Sequence, residues 1–303
     1  MKIGIMIGAD RRGSSVTDVC KLVETAEKAN IDSVWMAHIR SLDAITALTL
    51  AGDKTNKIEI GTAVTPIYPR HPMALAQQAL TAAQVCEGRF TLGIGLSHKA
   101  VIEDMLGLSY AKPASYMLDY VKALNTLIKR KETSYSGSLF NINGLRLDVS
   151  DTRKLPLLIA ALGPKMLGIA GAYADGTSLW MTGPRTIENH IAPLLFGAAA
   201  ESQKPTPRIV AGFPIVVTDN RRDAYAELEK DLAIYGALPS YRAMLDREGL
   251  KSPADLALVG DEAELKDSIE RIKASGVTDF NAANMAKDGE SYDRTFQFIA
   301  SLK

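Results

Sequence analysis

Three of the four histidines in this chain fall just beyond apolar runs that read as strands: His38, His98 and, slightly further on, His71. An imidazole titrates near neutrality, so a histidine at a strand end is suited to taking or giving a proton. Two other strand ends carry a different chemistry. Ala161-Leu162-Gly163-Pro164-Lys165 and Thr182-Gly183-Pro184 each lead from a strand through Gly-Pro into a helix. The first amides of a helix have no partner within it, and with the helix dipole they form a seat for an anion; Lys165 adds charge there. Arg40, Arg70, His71 and Lys99 read as a basic rim on the same face, suited to an acidic tail or an anionic substrate. Tyr68, Tyr110 and Tyr116 read as walls of a small-molecule pocket, with Tyr116, which begins an amphipathic helix, alternatively a core residue. No H-E-x-x-H, C-x-x-C or calcium-loop spacing suggests a metal, and no G-x-S-x-G suggests a serine hydrolase. A Schiff-base lyase needs a lysine inside a strand end, and the candidates, Lys99 and Lys165, lie beyond strands.

These residues need a scaffold that gathers many strand ends. Apolar runs predict strands at Lys2–Gly8, Ser33–Met36, Ile58–Val64, Phe90–Gly95, Leu157–Ala160, Thr177–Trp180, Ile209–Val217 and Asp279–Ala283. Helical stretches separate them. Ser15–Ala29 has Ser15 as N-cap and an apolar stripe of Val19, Leu22, Val23 and Ala26. Asp43–Lys54 follows, then Met73–Cys86 with Pro72 in its first turn and Gly88 at its close, then Tyr116–Lys129. Further on come Pro164–Tyr173, Thr186–Ala200, Asp219–Tyr235, a mostly helical stretch to Ser275 with Asp261 and Glu264 as a cap pair, and Tyr292–Leu302. Residues 131–156 break the rhythm; Ser136-Gly137 and Asn143-Gly144 are turn signals, and the run between them reads as a hairpin excursion. Eight strands, each followed by helix, predict an α/β fold, a (β/α)8 TIM barrel over residues 1–303 as a single domain. A doubly wound sheet is the alternative, disfavoured because no G-x-G-x-x-G joins the first strand to its helix. In a barrel, chemistry belongs at the C-terminal strand ends, where the residues above fall. Trp35 and Trp180, inside strands, read as packing.

Composition excludes several partners. Lys+Arg 35 against Asp+Glu 35 leaves no broad basic face for nucleic acid and no generic attraction to anionic membranes. A hydrophobic share of 47% with 23% charged residues is ordinary for a soluble globular chain. Cys20 and Cys86 lie in helical stretches and read as reduced core residues of a cytoplasmic protein. No window reaches the apolar length of a membrane span, and MKIGIMIGADRRG is too short an apolar start for a signal peptide.

Two stretches carry a resemblance: IGTAVTPIYPRHPMALAQQALTAAQVCEGRFTLGIGLSHK (60–99) and LPLLIAALGPKMLGIAGAYADGTSLWMTGP (155–184). With DSVWMAH (32–38) they resemble, in order along nearly the whole chain, the bacterial-luciferase-like superfamily of flavin and deazaflavin oxidoreductases. Within it the chain is most similar to the branch that uses coenzyme F-420, an 8-hydroxy-5-deazaflavin. The resemblance implies the same barrel, a homodimer, and hydride transfer between the deazaflavin C5 and a small organic substrate. An FMN-dependent monooxygenase on the same scaffold is the alternative, and a carrier that binds without turnover a further one. The resemblance also implies a cis peptide at Ala63–Val64 against the ring, with Thr65 beside it, and Gly95-Leu96-Ser97 lining the coenzyme. Its phosphate would lie at Ala161-Leu162-Gly163-Pro164-Lys165 and Thr182-Gly183-Pro184. His38 matches the histidine of the family's Asp-His pair, as catalytic and ring-contacting residue, but Ala37 stands where the aspartate is expected. His98 falls where deazaflavin sugar-phosphate dehydrogenases have a glutamate acid, which leaves substrate and proton route open.

Overall fold

Eight parallel strands close on themselves in the computed structural model, which describes residues 1–8, 14–39, 41–129, 132–150 and 154–303. They are β1 (Lys2–Ile7), β2 (Ser33–Met36), β3 (Glu59–Thr62), β4 (Phe90–Gly95), β5 (Leu157–Ile159), β6 (Gly176–Trp180), β7 (Arg208–Val217) and β8 (Asp279–Asn284). Each pairs with the next in sequence, and β8 returns to β1 with Lys2 opposite Asp279. The barrel expected from strand count and spacing is therefore the fold.

Its interior is filled from the bottom by charge and above that by rings. Arg208 is forked between two carboxylates: Nη1 donates to Glu59 Oε1 at 2.7 Å and Nη2 to Asp279 Oδ1 at 2.6 Å. Burial pushes the Glu59 carboxyl up, but hydrogen bonds and charge from Arg208 and Lys2 outweigh it and hold the group ionised below its ordinary range. The guanidinium carbon lies 5.8 Å from the Trp35 ring centroid, so the plug and the apolar layer are continuous. Trp35 is fully buried among Leu158 and Val210, and its ring occupies the space a side chain at Gly61 would need. Both cysteines are buried free thiols, and burial pushes Cys86 up to about 11, which makes it inert.

Local signals held at most helix starts. Ser15 and Asp261 cap their helices as expected, Asp261 with Glu264 in a reciprocal capping box, and Asp43, expected as the first residue of its helix, is its N-cap. The third strand departs from the single run Ile58–Val64. It stops at Thr62, turns through a cis Ala63–Val64 bond, and resumes as Thr65–Pro66 against Ile94 and Gly95. The hairpin is Glu132–Ser136 paired with Asn141–Arg146. Ser136-Gly137 opens its turn, whereas Asn143-Gly144 lies inside the second strand at a register shift, with Gly144 at φ 57°. A short strand, Leu258–Gly260, interrupts the stretch expected to be helical; it pairs with the far end of β7, which runs past the barrel to Val217. No described helix is long and apolar enough to cross a membrane.

Candidate active site

Beyond β2 the chain turns outward at Ala37 and His38. His38 is half-buried, and its environment is ionic. Arg70, from the loop after β3, brings Nη2 to 3.0 Å from His38 Nε2, and the same nitrogen donates to Asp43 Oδ2 at 3.0 Å. Asp43 is fixed because it caps the helix Ala44–Asp53, accepting from the Thr46 amide at 2.9 Å, and it also accepts from Gln78 Nε2 at 3.2 Å. Burial lowers the His38 pKa, and the Arg70 charge lowers it further against the opposing pull of Asp43, so the imidazole is neutral at pH 7. Its Nδ1 is buried and has no hydrogen-bond partner.

The neighbouring strand end is built around Val64. The Ala63 amide donates to the Met36 carbonyl at 2.9 Å, so the cis turn and His38 leave adjacent strands at one level. Val64 packs on glycine: a Cβ on Gly95 would stand 2.5 Å from Val64 Cγ2, and one on Gly93 would stand 2.0 Å from the Thr62 carbonyl. The glycines of FTLGIG are thus the space that the turn occupies. Thr65 Oγ1 is buried there without a partner. Leu96 and Ser97 follow β4; the Ser97 carbonyl accepts from Tyr110 at 3.3 Å.

The two Gly-Pro helix starts differ. At Gly163, cap of the helix Pro164–Tyr173, no side chain caps the amides, and an added Cβ would meet nothing within 4 Å. Pro164 has no N–H, so the amides of Lys165 and Met166 are the outward donors there. Ala161 is buried, and the Leu162 carbonyl is held by His190 Nε2 at 2.9 Å, which fixes the loop. At Gly183 the seat is taken: Glu248 accepts from the Arg185 amide at 3.1 Å, the Thr186 amide at 2.7 Å and Thr186 Oγ1 at 2.6 Å. Thr182 turns back to the Trp180 carbonyl at 3.3 Å, and Pro184 begins the helix. Of the two expected anion seats, only the one at Gly163 leaves its amides uncapped.

Aromatic residues wall both flanks. Tyr68 stacks on Tyr116 at 4.3 Å and on Tyr110 at 5.3 Å, and Phe140 of the hairpin meets Tyr116 edge-on at 5.5 Å. Burial pushes the Tyr68 phenol up, so its unpartnered hydroxyl stays protonated. On the other flank, His98 lies 6.0 Å from the Tyr241 ring, and burial lowers its pKa. Tyr241 and Glu248 sit on one helix, Pro239–Glu248, so that helix bridges the ends of β4 and β6.

The basic rim divides. Arg70 turns inward to His38 and Asp43, His71 caps the helix Pro72–Val85 through Nδ1 at 3.2 Å from the Met73 amide, and Lys99 is exposed, 3.6 Å from Glu103. Arg40 lies outside the described residues. Sequence reasoning missed Asp43 as a cap and as a partner of His38 and Arg70, and it missed His190, Tyr241 and Glu248. Asp43 and His190 carried a signal, an acid and an imidazole within reach of strand ends; Tyr241 and Glu248 lie in a helical stretch with nothing local to mark them.

Residues 1–279 match the family described as luciferase-like monooxygenase. A 5,10-methylenetetrahydromethanopterin reductase of Archaeoglobus fulgidus is 27% identical over 255 residues, 84% of this chain and 75% of that protein. An F-420-dependent hydroxymycolic acid dehydrogenase of Mycobacterium tuberculosis is 29% identical over 198 residues, 60% of this chain and 54% of that protein. Among solved structures, an F-420-dependent secondary alcohol dehydrogenase in complex with an F-420–acetone adduct superposes with a TM-score of 0.84 at 22% identity, covering 99% of this chain and 98% of that one.

Proposed function

The chain belongs to the luciferase-like monooxygenase family and is an oxidoreductase of that kind, and from that premise we propose that it works with coenzyme F-420, exchanging hydride with a small organic substrate. The F-420 dependence of the mycobacterial and secondary alcohol dehydrogenase relatives supports this choice over FMN. The observation that carries it is His38: a half-buried imidazole at a strand end, beside the cis turn, with one ring nitrogen buried and unpartnered. A buried polar atom without a partner costs free energy, so a ligand that supplies one is favoured at that atom.

The residues present fit such a coenzyme. Gly163 leaves room where any other residue would place a Cβ, and the amides of Lys165 and Met166, with the Lys165 charge, suit a phosphate. Val64 on its glycine bed, with Thr65, Leu96 and Ser97 nearby, suits the face and edge of a flat ring. When bound, a deazaflavin supplies two-electron hydride exchange at its C5. This chain's own residues do the rest. His38 manages the hydrogen at the substrate's heteroatom, the tyrosines Tyr68 and Tyr110 and the helix bearing Tyr241 restrict water, and Gly163 anchors the far end.

Equilibrium titration with F-420 and with FMN tests the reading. Tight F-420 binding with weak FMN binding is expected; the reverse order defeats the reading and makes an FMN-dependent monooxygenase the better one. His38→Ala should then lower turnover by about 10²–10⁴-fold with a modest change in coenzyme affinity, checked by steady-state kinetics on any accepted substrate.

A further inference from the structure

We propose that Arg70 is a positioning residue that holds His38 in the neutral tautomer with its proton on Nδ1, so that the ring's one hydrogen sits on the nitrogen no protein group takes up and is left for a ligand's reacting heteroatom. A guanidinium has five N–H groups and no acceptor. Arg70 Nη2 carries two hydrogens and stands 3.0 Å from each of two atoms, Asp43 Oδ2 and His38 Nε2. Asp43 accepts one, so the other points to Nε2, which must offer a lone pair. Nη1 is directed elsewhere, to the Pro66 carbonyl at 3.3 Å. The opposite tautomer would set two hydrogens against each other across 3.0 Å. It would gain nothing from Asp43, whose Oδ2 lies 3.6 Å from Nε2, too far for a hydrogen bond.

With Nε2 as acceptor, the ring's one hydrogen is on Nδ1, the atom that is buried and unpartnered. The matching ligand atom is a lone-pair bearer, a carbonyl or alcohol oxygen or an imine nitrogen. Arg70 and Asp43 are the charged groups facing His38 among the described residues, and they pull in opposite directions: Arg70 against protonation, Asp43 for it. His38 therefore remains a neutral donor to the ligand's heteroatom down to a lower pH than a free histidine would. The use of this donor in turnover rests on the function proposed above; the tautomer does not.

The test is the ¹⁵N resonances of His38 in the full chain without coenzyme, in the parent and in Arg70→Gln, Arg70→Lys and Asp43→Asn. The parent at pH 7 should have a protonated Nδ1 and a bare Nε2. Arg70→Gln should lose that preference and raise the His38 titration midpoint by about one pH unit, Asp43→Asn should lower it, and Arg70→Lys should keep the parent's tautomer. With a substrate in hand, the acid limb of the turnover profile should move with these midpoints. A protonated Nε2 or a charged ring in the parent at pH 7 overturns the proposal, as does an unchanged titration in a folded Arg70→Gln. The parent spectrum decides even if a variant does not fold. Failure of F-420 to bind beside a confirmed tautomer would instead defeat the functional reading and leave this one standing.

Discussion

Gly163-Pro164 and Gly183-Pro184 follow adjacent strands, begin helices with the same two residues, and close the same first bond, Leu167 N to Gly163 O at 3.0 Å and Ile187 N to Gly183 O at 2.9 Å. Yet one has no cap, and the other has a carboxylate on the very amides that a phosphate would use. The space tells the same story: a Cβ on Gly163 would touch nothing within 4 Å, while one on Gly183 would lie 2.2 Å from the Glu248 carboxyl carbon. The lesson is that a Gly-Pro helix start is a general anion seat, and a distant residue decides whether the protein or a ligand uses it. Glu248 demonstrates the chemistry at one start that the functional reading assigns to the other.

Changes that exchange the two starts should break the comparison most visibly. Gly163→Asp supplies its own cap and a like charge, so F-420 affinity should fall roughly 10–100-fold, the loss of one to two charge-assisted bonds, with stability unchanged or raised by a few tenths of a kcal/mol. Titration and thermal melting check both halves. Glu248→Ala should remove about 2–3 kcal/mol of stability, since it strips a carboxylate from two amides and a hydroxyl. Added inorganic phosphate, which the open Gly163 start can take in both proteins, should then raise the melting temperature of the variant by more than that of the parent; equal response in both would mean that the second start is not an anion seat. The smallest change is Lys165→Ala. Its exposed charge should be worth about 0.5–1 kcal/mol of coenzyme affinity at low salt and little above about 0.5 M, read from titrations at two ionic strengths.

Much of the scaffold was legible in the sequence because its signals are local. Eight apolar runs at βα spacing gave the barrel, and Ser15, Asp43, Pro72 and Asp261 marked helix starts at sites where side-chain oxygens or a fixed φ act within three residues. What was not legible depends on distant partners or on competition between signals. Leu258–Gly260 is a strand because β7 overruns the barrel and offers it an edge, not because three residues announce one. Asn143-Gly144 has turn chemistry, but the two strands pair around it and absorb Gly144 as a bulge. In the site, His38 stood out by type and place, whereas Arg70 read as one charge of a basic rim for an acidic tail or an anionic substrate. Its inward role follows from Asp43, 27 residues away, being fixed as a helix cap. Glu248, 62 residues from Thr186, could not be assigned to the Gly183 start from sequence.

A crystal structure of the complex with coenzyme F-420 tests the central claim most directly. The phosphate should lie on the amides of Lys165 and Met166, Glu248 should stay on Arg185 and Thr186, and His38 Nδ1 should face the open side of the ring. A phosphate seated on Arg185 and Thr186 in place of Glu248, or a ring lying away from His38, would contradict the account.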